Sequence, residues 1–388
     1  MKKEYDLIVV GGGVLGTFHA YHALKNGLKV ALVEKDRTPQ GATVRNFGQV
    51  VPSGMNSKWQ AYGRESLRIY KEIQESFDIS VRREGSVYIA SNHEEVQLLE
   101  QLYQINQHNQ YPSKLLTKEN CLQRYPGLRK EYVLAGLYFP KEIMVEPRVM
   151  INKLHKYLGV AGMDLFLHTT VLECNKLSDG VEVYLSNGKT LSAAKVIICN
   201  GSEFKTLYPQ LFNESDLEVS KLQMMQTKPQ PPHYLLKSSI LTALSIRRYE
   251  AFHECPSFAE IKSMEDPDSP EKKWGVHVLF KQAIDGSIII GDSHEYANAN
   301  RIDDLNMDLN MDIDNFILQE AKKIFDLPTY EIQNRWYGLY SQCKTSDIYQ
   351  NTIDEHIHII TGIGGKGMTA SAGFAKENIN TIFNFKHA

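Results

Sequence analysis

Cysteine is scarce in this sequence: five occur in 388 residues, at positions 121, 174, 199, 255 and 343. No two are close, and no spacing matches a zinc or iron–sulfur motif, so neither a disulfide framework nor a metal centre is expected. Scattered free thiols fit a reducing compartment, and a cytoplasmic location is the expectation. Long apolar runs are also missing. None approaches the roughly 18 residues of a membrane helix, so no membrane partner is expected. There is no basic excess either: 43 Lys and Arg face 46 Asp and Glu, a net charge of −3. General nucleic-acid binding needs a basic face and is excluded on that ground. Internal repeats and low-complexity tracts are absent. The opening string MKKEYDLIVVGGG carries a short apolar run that ends in glycines, which is a buried strand rather than a signal peptide.

What is present is enough for a large core and two domains. Apolar residues make up 42% of the chain. Tyr5 to Val10 is β-rich and apolar, Gly11 to Gly16 reads GGGVLG, and a helical stretch runs on to Asn26. A second strand, LKVALVE, ends at Glu34. Strand, G-x-G-x-x-G, helix and an acidic residue about 20 positions on form the complete dinucleotide fingerprint. Each residue type has a physical reason. Gly11 lets the chain turn sharply out of the strand. Gly13 lacks a Cβ, so the backbone can approach a pyrophosphate. Gly16 lets helix and strand pack. The helix start at Val14 and Leu15 offers free N–H groups and a positive dipole end to phosphates. Glu34 accepts from ribose hydroxyls and repels a 2′-phosphate, which argues against NADP. No second fingerprint follows, so one dinucleotide is bound, and the motif alone does not separate FAD from NAD.

Further on, a polar segment GATVRNFGQV covers 41–50, and a helical pattern covers about 55–79. GSVYIA (85–90) reads as a strand, 93–125 as polar helix, and another helix ends near Leu158. Segments 165–174, 181–186 and 194–201 read as strands, the last as AKVIICNG. Residues 221–291 are mostly strand-like, a helix covers about 311–325, and a strand, a Gly-rich turn and a final helix close the chain.

This ordered set resembles the D-amino-acid-oxidase-like group of FAD-dependent oxidoreductases over nearly the whole chain. The strings that carry the resemblance are the fingerprint through Glu34, GATVRNFGQV, VIICNG, SIIIGDSHE, RWYGLY and GIGGKGMT. RNFGQV and KLQMMQT (221–227) further resemble a branch associated with aminophosphonate breakdown. The resemblance implies an α/β fold: a Rossmann-like FAD-binding domain of glutathione-reductase type, with an inserted antiparallel-sheet substrate domain. The FAD-binding part is expected to comprise 1–80, 143–215 and 336–388, and the substrate part 81–142 and 216–335. Besides the fingerprint, it implies cofactor contacts from Lys35, Thr43, Arg45, Asn46, Phe47, Gly48, Val171, Asn200, Gly201 and Gly338. Gly364, Gly365, Lys366, Gly367, Met368 and Thr369 are implied at the flavin end. There the last helix places its positive end near the flavin pyrimidine oxygen.

The group's chemistry is implied as well. A hydride, or its equivalent, passes from a carbon bearing an amine to flavin N5, and the imine hydrolyses. The protein orients the substrate and keeps its amine neutral, so no catalytic base is nominated. Two carboxylate anchors familiar in relatives fall here at Tyr340 and Thr369 and are thus replaced. The cysteine that carries covalent flavin in one branch falls at Gly338, so FAD is expected to be non-covalent and Cys343 a plain thiol. An anionic substrate then needs other cations: Arg45, Arg247, Arg248, Lys281 and Lys366 are candidates. Neighbouring strand residues point to opposite faces, so at most one of Arg247 and Arg248 faces the pocket, and Arg247 is the choice. Gln49, Arg247, Tyr337, Tyr340 and Lys366 make up the expected substrate site. His253, His277 and His294 read as structural hydrogen-bonders.

The leading reading is an FAD-dependent oxidoreductase acting on a small amine, an aminophosphonate or an amino acid, with oxygen or another electron acceptor. The alternatives are a 2-hydroxy-acid dehydrogenase, and a flavoprotein subunit that passes electrons to a partner.

Overall fold

A computed structural model describes residues 4–385; residues 1–3 and 386–388, at the outer ends of the expected FAD-binding part, lie outside the described residues. Two large sheets organise it. The first has eight strands, and its path runs Tyr349–Ile353, Ile357–Thr361, Thr190–Ile198, Tyr5–Val10, Val30–Val33, Asp164–Phe166. All neighbours on that path are parallel except the first pair. Gly180–Leu185 pairs antiparallel with both Thr190–Ile198 and Val171–Leu177. Parallel strands covered on both faces should read as continuous apolar runs. Val30–Val33 is buried at every position, and Tyr5–Val10 at every position but Asp6.

The second sheet has nine strands and is antiparallel apart from one parallel pair, Ser239–Leu241 beside Ser86–Ala90. Its longest ladder joins Leu217–Thr227 to Ile332–Cys343. The boundary expected at 336 therefore falls inside a strand of the second sheet. The strand-like expectation for 221–291 also needs correcting. Between Ser239–Leu241 and Leu279–Gln282 lie four short helices, Ala243–Ile246, Glu250–His253, Phe258–Ser263 and Pro270–Lys273. Each is too short for a 3.6-residue period to show in the sequence.

Glycines set how closely the elements of the first sheet approach. Gly11 has φ +102°, and a Cβ there would lie 2.2 Å from the Cys199 carbonyl oxygen. A Cβ on Gly16 would lie 2.1 Å from the Gly11 oxygen, so the helix Val14–Lys25 can seat on the turn only with glycine there. On the other side of that helix packs Gly367–Phe383, which also packs on Ser57–Ser76. Among the described residues, no helix is long and apolar enough to cross a membrane.

Candidate functional site

A cavity of about 990 Å³ runs from the first turn of the chain to the second sheet. At one end it is floored by Gly11, Gly13 and the opening of the helix Val14–Lys25. No side chain caps that helix, because its N-cap is Gly13. Its first-turn donors therefore face open space, apart from Val14 N–H, which Thr43 Oγ1 accepts at 2.9 Å. Glu34 is buried beside it. Its carboxylate accepts from Gly12 N–H at 2.7 Å and Asp36 N–H at 3.0 Å, which pins both loops and leaves lone pairs toward the cavity.

His155, not singled out in the sequence, supports this floor from behind. Its Nε2 lies 2.9 Å from the Gly12 oxygen and 3.0 Å from Thr17 Oγ1. Burial lowers its pKa to about 4, so the ring is neutral.

The far end is closed by the turn Gly364–Lys366 and the helix Gly367–Phe383, which also lacks a side-chain cap. Thr369 Oγ1 accepts from Val51 N–H at 3.1 Å and lies 3.5 Å from the Gln49 carbonyl oxygen. Gln49 lines the cavity with a buried Nε2 that has no partner. An orphaned donor in a buried cavity calls for a ligand acceptor. Together with the two uncapped helix starts, it is what an elongated ligand with a pyrophosphate and a polar ring would satisfy, so these residues fit FAD.

Most of the expected cofactor residues lie on this wall. Lys35, Asn46, Phe47, Val171, Asn200 and Gly201 line it, as do Gly364 through Thr369. Three do not. Arg45 turns outward, its Nε donating to the Gln40 oxygen at 3.3 Å. Gly48 has φ +75° and is packed against Val145 and Pro147, where a Cβ would sit 2.3 Å from the Val145 oxygen. Gly338 packs against Arg45 and Tyr340, where a Cβ would meet Arg45 Cβ at 2.9 Å.

Two expected substrate residues are also misplaced. Tyr337 and Tyr340 are three apart in Ile332–Cys343, so strand alternation sends them to opposite faces. Tyr340 lines the cavity and donates to the Arg45 oxygen at 3.4 Å, whereas the Tyr337 ring lies 5.5 Å from Lys221 Nζ outside it. Arg247 ends a helical turn rather than lying in a strand. It is bound to Glu94 at 2.7 Å and Glu95 at 2.9 Å, away from the cavity, and Arg248 lines the wall instead. Lys281 is buried elsewhere, donating to the Val145 oxygen at 2.6 Å and pairing with Glu146 at 3.1 Å. Lys366 does line the cavity and pairs with Glu250 at 2.9 Å.

Beside the second sheet, His277 and His294, expected from the sequence only as structural hydrogen-bonders, come together with Asp292. His277, Asp292 and His294 all line the cavity. His277 Nε2 lies 2.6 Å from Asp292 Oδ1. Burial alone would raise the Asp292 carboxyl, but the facing His277, His294 and Arg248 outweigh it and hold it below its ordinary value. Burial, then the Arg248 charge, pushes His294 down to about 3. Cys199 and Cys343 also reach the cavity, and burial raises both thiols, so neither is a reactive thiolate.

A dinucleotide cradle between a parallel sheet and an antiparallel one defines a flavin-dependent oxidoreductase, and the chain belongs to the FAD dependent oxidoreductase (DAO) family, whose model matches residues 6–379. Bound FAD supplies a two-electron acceptor. One relative over the full length is a glycerol 3-phosphate dehydrogenase of Caloramator mitchellensis, 23% identical, with 98% of this chain and 74% of that protein covered. A glycine oxidase of Bacillus licheniformis is 26% identical over 54% of this chain and 58% of its own length. Among solved structures, glycine oxidase from Bacillus cereus matches with TM-score 0.76 at 21% identity, covering 99% of this chain and 96% of that one. An α-glycerophosphate oxidase from Mycoplasma pneumoniae, solved with FAD bound, matches with TM-score 0.76 at 20% identity, covering 100% and 96%.

Proposed function

We propose that this enzyme oxidises a small amine carrying a phosphonate or comparable dianion, at the carbon bearing nitrogen, and holds its FAD non-covalently. One observation carries the reading. The two positions where amino-acid-oxidising relatives place a cationic carboxylate anchor hold Tyr340 and Thr369, and both hydroxyls are engaged with backbone. The positive charge on the cavity wall comes instead from Arg248 and Lys366 among others. A guanidinium fork bonds two oxygens of one anion, which suits a phosphonate.

In this reading the residues divide the work. Gly13, Val14 and Leu15 hold the pyrophosphate, and Glu34 accepts from a ribose hydroxyl. Gln49 Nε2 and the start of Gly367–Phe383 hold the flavin end. Tyr340, buried, and Tyr249, half-buried, keep water from the reacting carbon. The loss of hydride equivalent from that carbon leaves an imine that water hydrolyses, and oxygen or another acceptor takes the electrons. Gly338 occupies the place of the flavin-linking cysteine of one branch, which favours non-covalent binding.

The full-length likeness to a glycerol 3-phosphate dehydrogenase favours a second reading, oxidation of a phosphorylated alcohol in the same cavity. Anaerobic flavin bleaching separates the two. Glycine, sarcosine, 2-aminoethylphosphonate, its N-methyl derivative and glycerol 3-phosphate are compared side by side. The aminophosphonates should bleach fastest. Faster bleaching by glycine or sarcosine makes this an ordinary amino-acid oxidase, and faster bleaching by glycerol 3-phosphate establishes the second reading.

A further inference from the structure

We propose that His277, Asp292 and His294 form a binding site for a divalent transition-metal ion in the wall of the substrate cavity.

The backbone brings the three together. His277 N–H donates to the Asp292 oxygen at 3.0 Å, and Asp292 N–H donates to the His277 oxygen at 2.7 Å. Residues that exchange both bonds across an antiparallel pair carry their side chains on the same side. His294 is two residues beyond Asp292, and its ligand atom lies beside theirs. The three ligand atoms all lie within 4.8 Å of one another.

The surroundings orient them as ligands. His294 Nδ1 lies 2.9 Å from the Gly275 carbonyl oxygen. A carbonyl only accepts, so Nδ1 carries the proton and Nε2 presents its lone pair. His277 Nδ1 lies 3.1 Å from Ser245 Oγ, which can accept from it and free Nε2 in the same way. Metal-bound imidazoles are held by such outer partners. Ring contacts fix both planes: Tyr249 meets His277 edge-on at 5.4 Å, and Tyr296 stacks on His294 at 6.2 Å.

Asp292 is the second, independent indication. Its side chain is 8% exposed, and Oδ1 lies 2.6 Å from His277 Nε2, a contact that needs a proton or a metal ion between the two atoms. A buried carboxylate is costly unless a cation satisfies it. Two imidazoles and one carboxylate suit Zn²⁺ and its first-row neighbours. The remaining positions open on the cavity, where an oxygen of an anionic substrate could complete the shell. That last point rests on the proposed substrate class, whereas ion binding itself does not.

The test uses FAD-loaded protein, stripped with a chelator, dialysed against micromolar Zn²⁺ and analysed for metal. The expected result is one zinc per chain, with affinity reduced at least roughly tenfold in Asp292→Asn and in His294→Gln and unchanged in His253→Gln on the surface. X-ray absorption of the wild-type zinc form needs no variant to fold. It should show imidazole and oxygen neighbours at about 2.0–2.1 Å. Failure to retain zinc, equal retention by all variants, or thiolate sulfur near about 2.3 Å overturns the proposal.

Discussion

Arg247 and Arg248 are adjacent, and everything that separates them comes from three-dimensional neighbours. Arg247 is 15% exposed and clamps Glu94 and Glu95, the latter 2% exposed, at the start of the helix His93–His108. Removing one partner of a buried ion pair leaves the other charge uncompensated. Arg247→Ala should therefore destabilise the fold by about 3 kcal/mol, measured by denaturant unfolding. It should leave the KM for substrate near the wild-type value. A large rise in KM without loss of stability would return Arg247 to the substrate site. The expectation that at most one of the pair faces the cavity rests on strand alternation, but the segment is helical, and Arg248 rather than Arg247 lines the wall. No pattern in the string ALSIRRYE marks the glutamates 150 residues upstream as its partners.

At the scale of elements, the strand–turn–helix that opens the chain was legible because its geometry is set by contiguous residues. Gly11, Gly13 and Gly16 each answer a local steric demand, and such demands leave a mark in a short string. Gly16→Ala should drive a Cβ into the Gly11 oxygen, 2.1 Å away, and push the helix start off the turn. Purified Gly16→Ala should carry little FAD, read from the ratio of flavin to protein absorbance; full occupancy would show that the helix can shift to admit the methyl. The cluster on the second sheet was illegible for the opposite reason. His277 and Asp292 are 15 residues apart and meet only just beyond the paired strands Leu279–Gln282 and Ile288–Gly291, where two backbone hydrogen bonds join them. The alternation of Asp292 and His294 in GDSHE was the one available local signal. The same register logic excludes Tyr337, since a residue three places from Tyr340 in a strand faces the other way.

At the scale of the whole molecule, Glu142 ties the turn Pro52–Gly54 to the second sheet. Its carboxylate accepts from Ser53 N–H at 2.8 Å and Ser53 Oγ at 3.1 Å on one side. On the other it takes Tyr111 Oη at 2.8 Å and the Ser86 hydroxyl. Burial raises its pKa from the ordinary 4.5 to about 7, against the pull of those donors toward the charged form. A raised carboxyl binds its proton more tightly in the folded state. Its contribution to stability is therefore full below pH 4.5 and fades as the pH climbs through about 7. Glu142→Gln cannot ionise, so its stability relative to wild type should improve steadily between about pH 5 and 8. Parallel unfolding curves at both ends of that range would show that Glu142 is not the titrating group. The cavity beside this tie draws its wall from Val10 through Thr369. On the ribosome, then, a growing chain exposes its glycine turn well before the helix Gly367–Phe383. The cavity can close only once the helix Gly367–Phe383 has been made, so the glycine turn alone cannot enclose the cofactor.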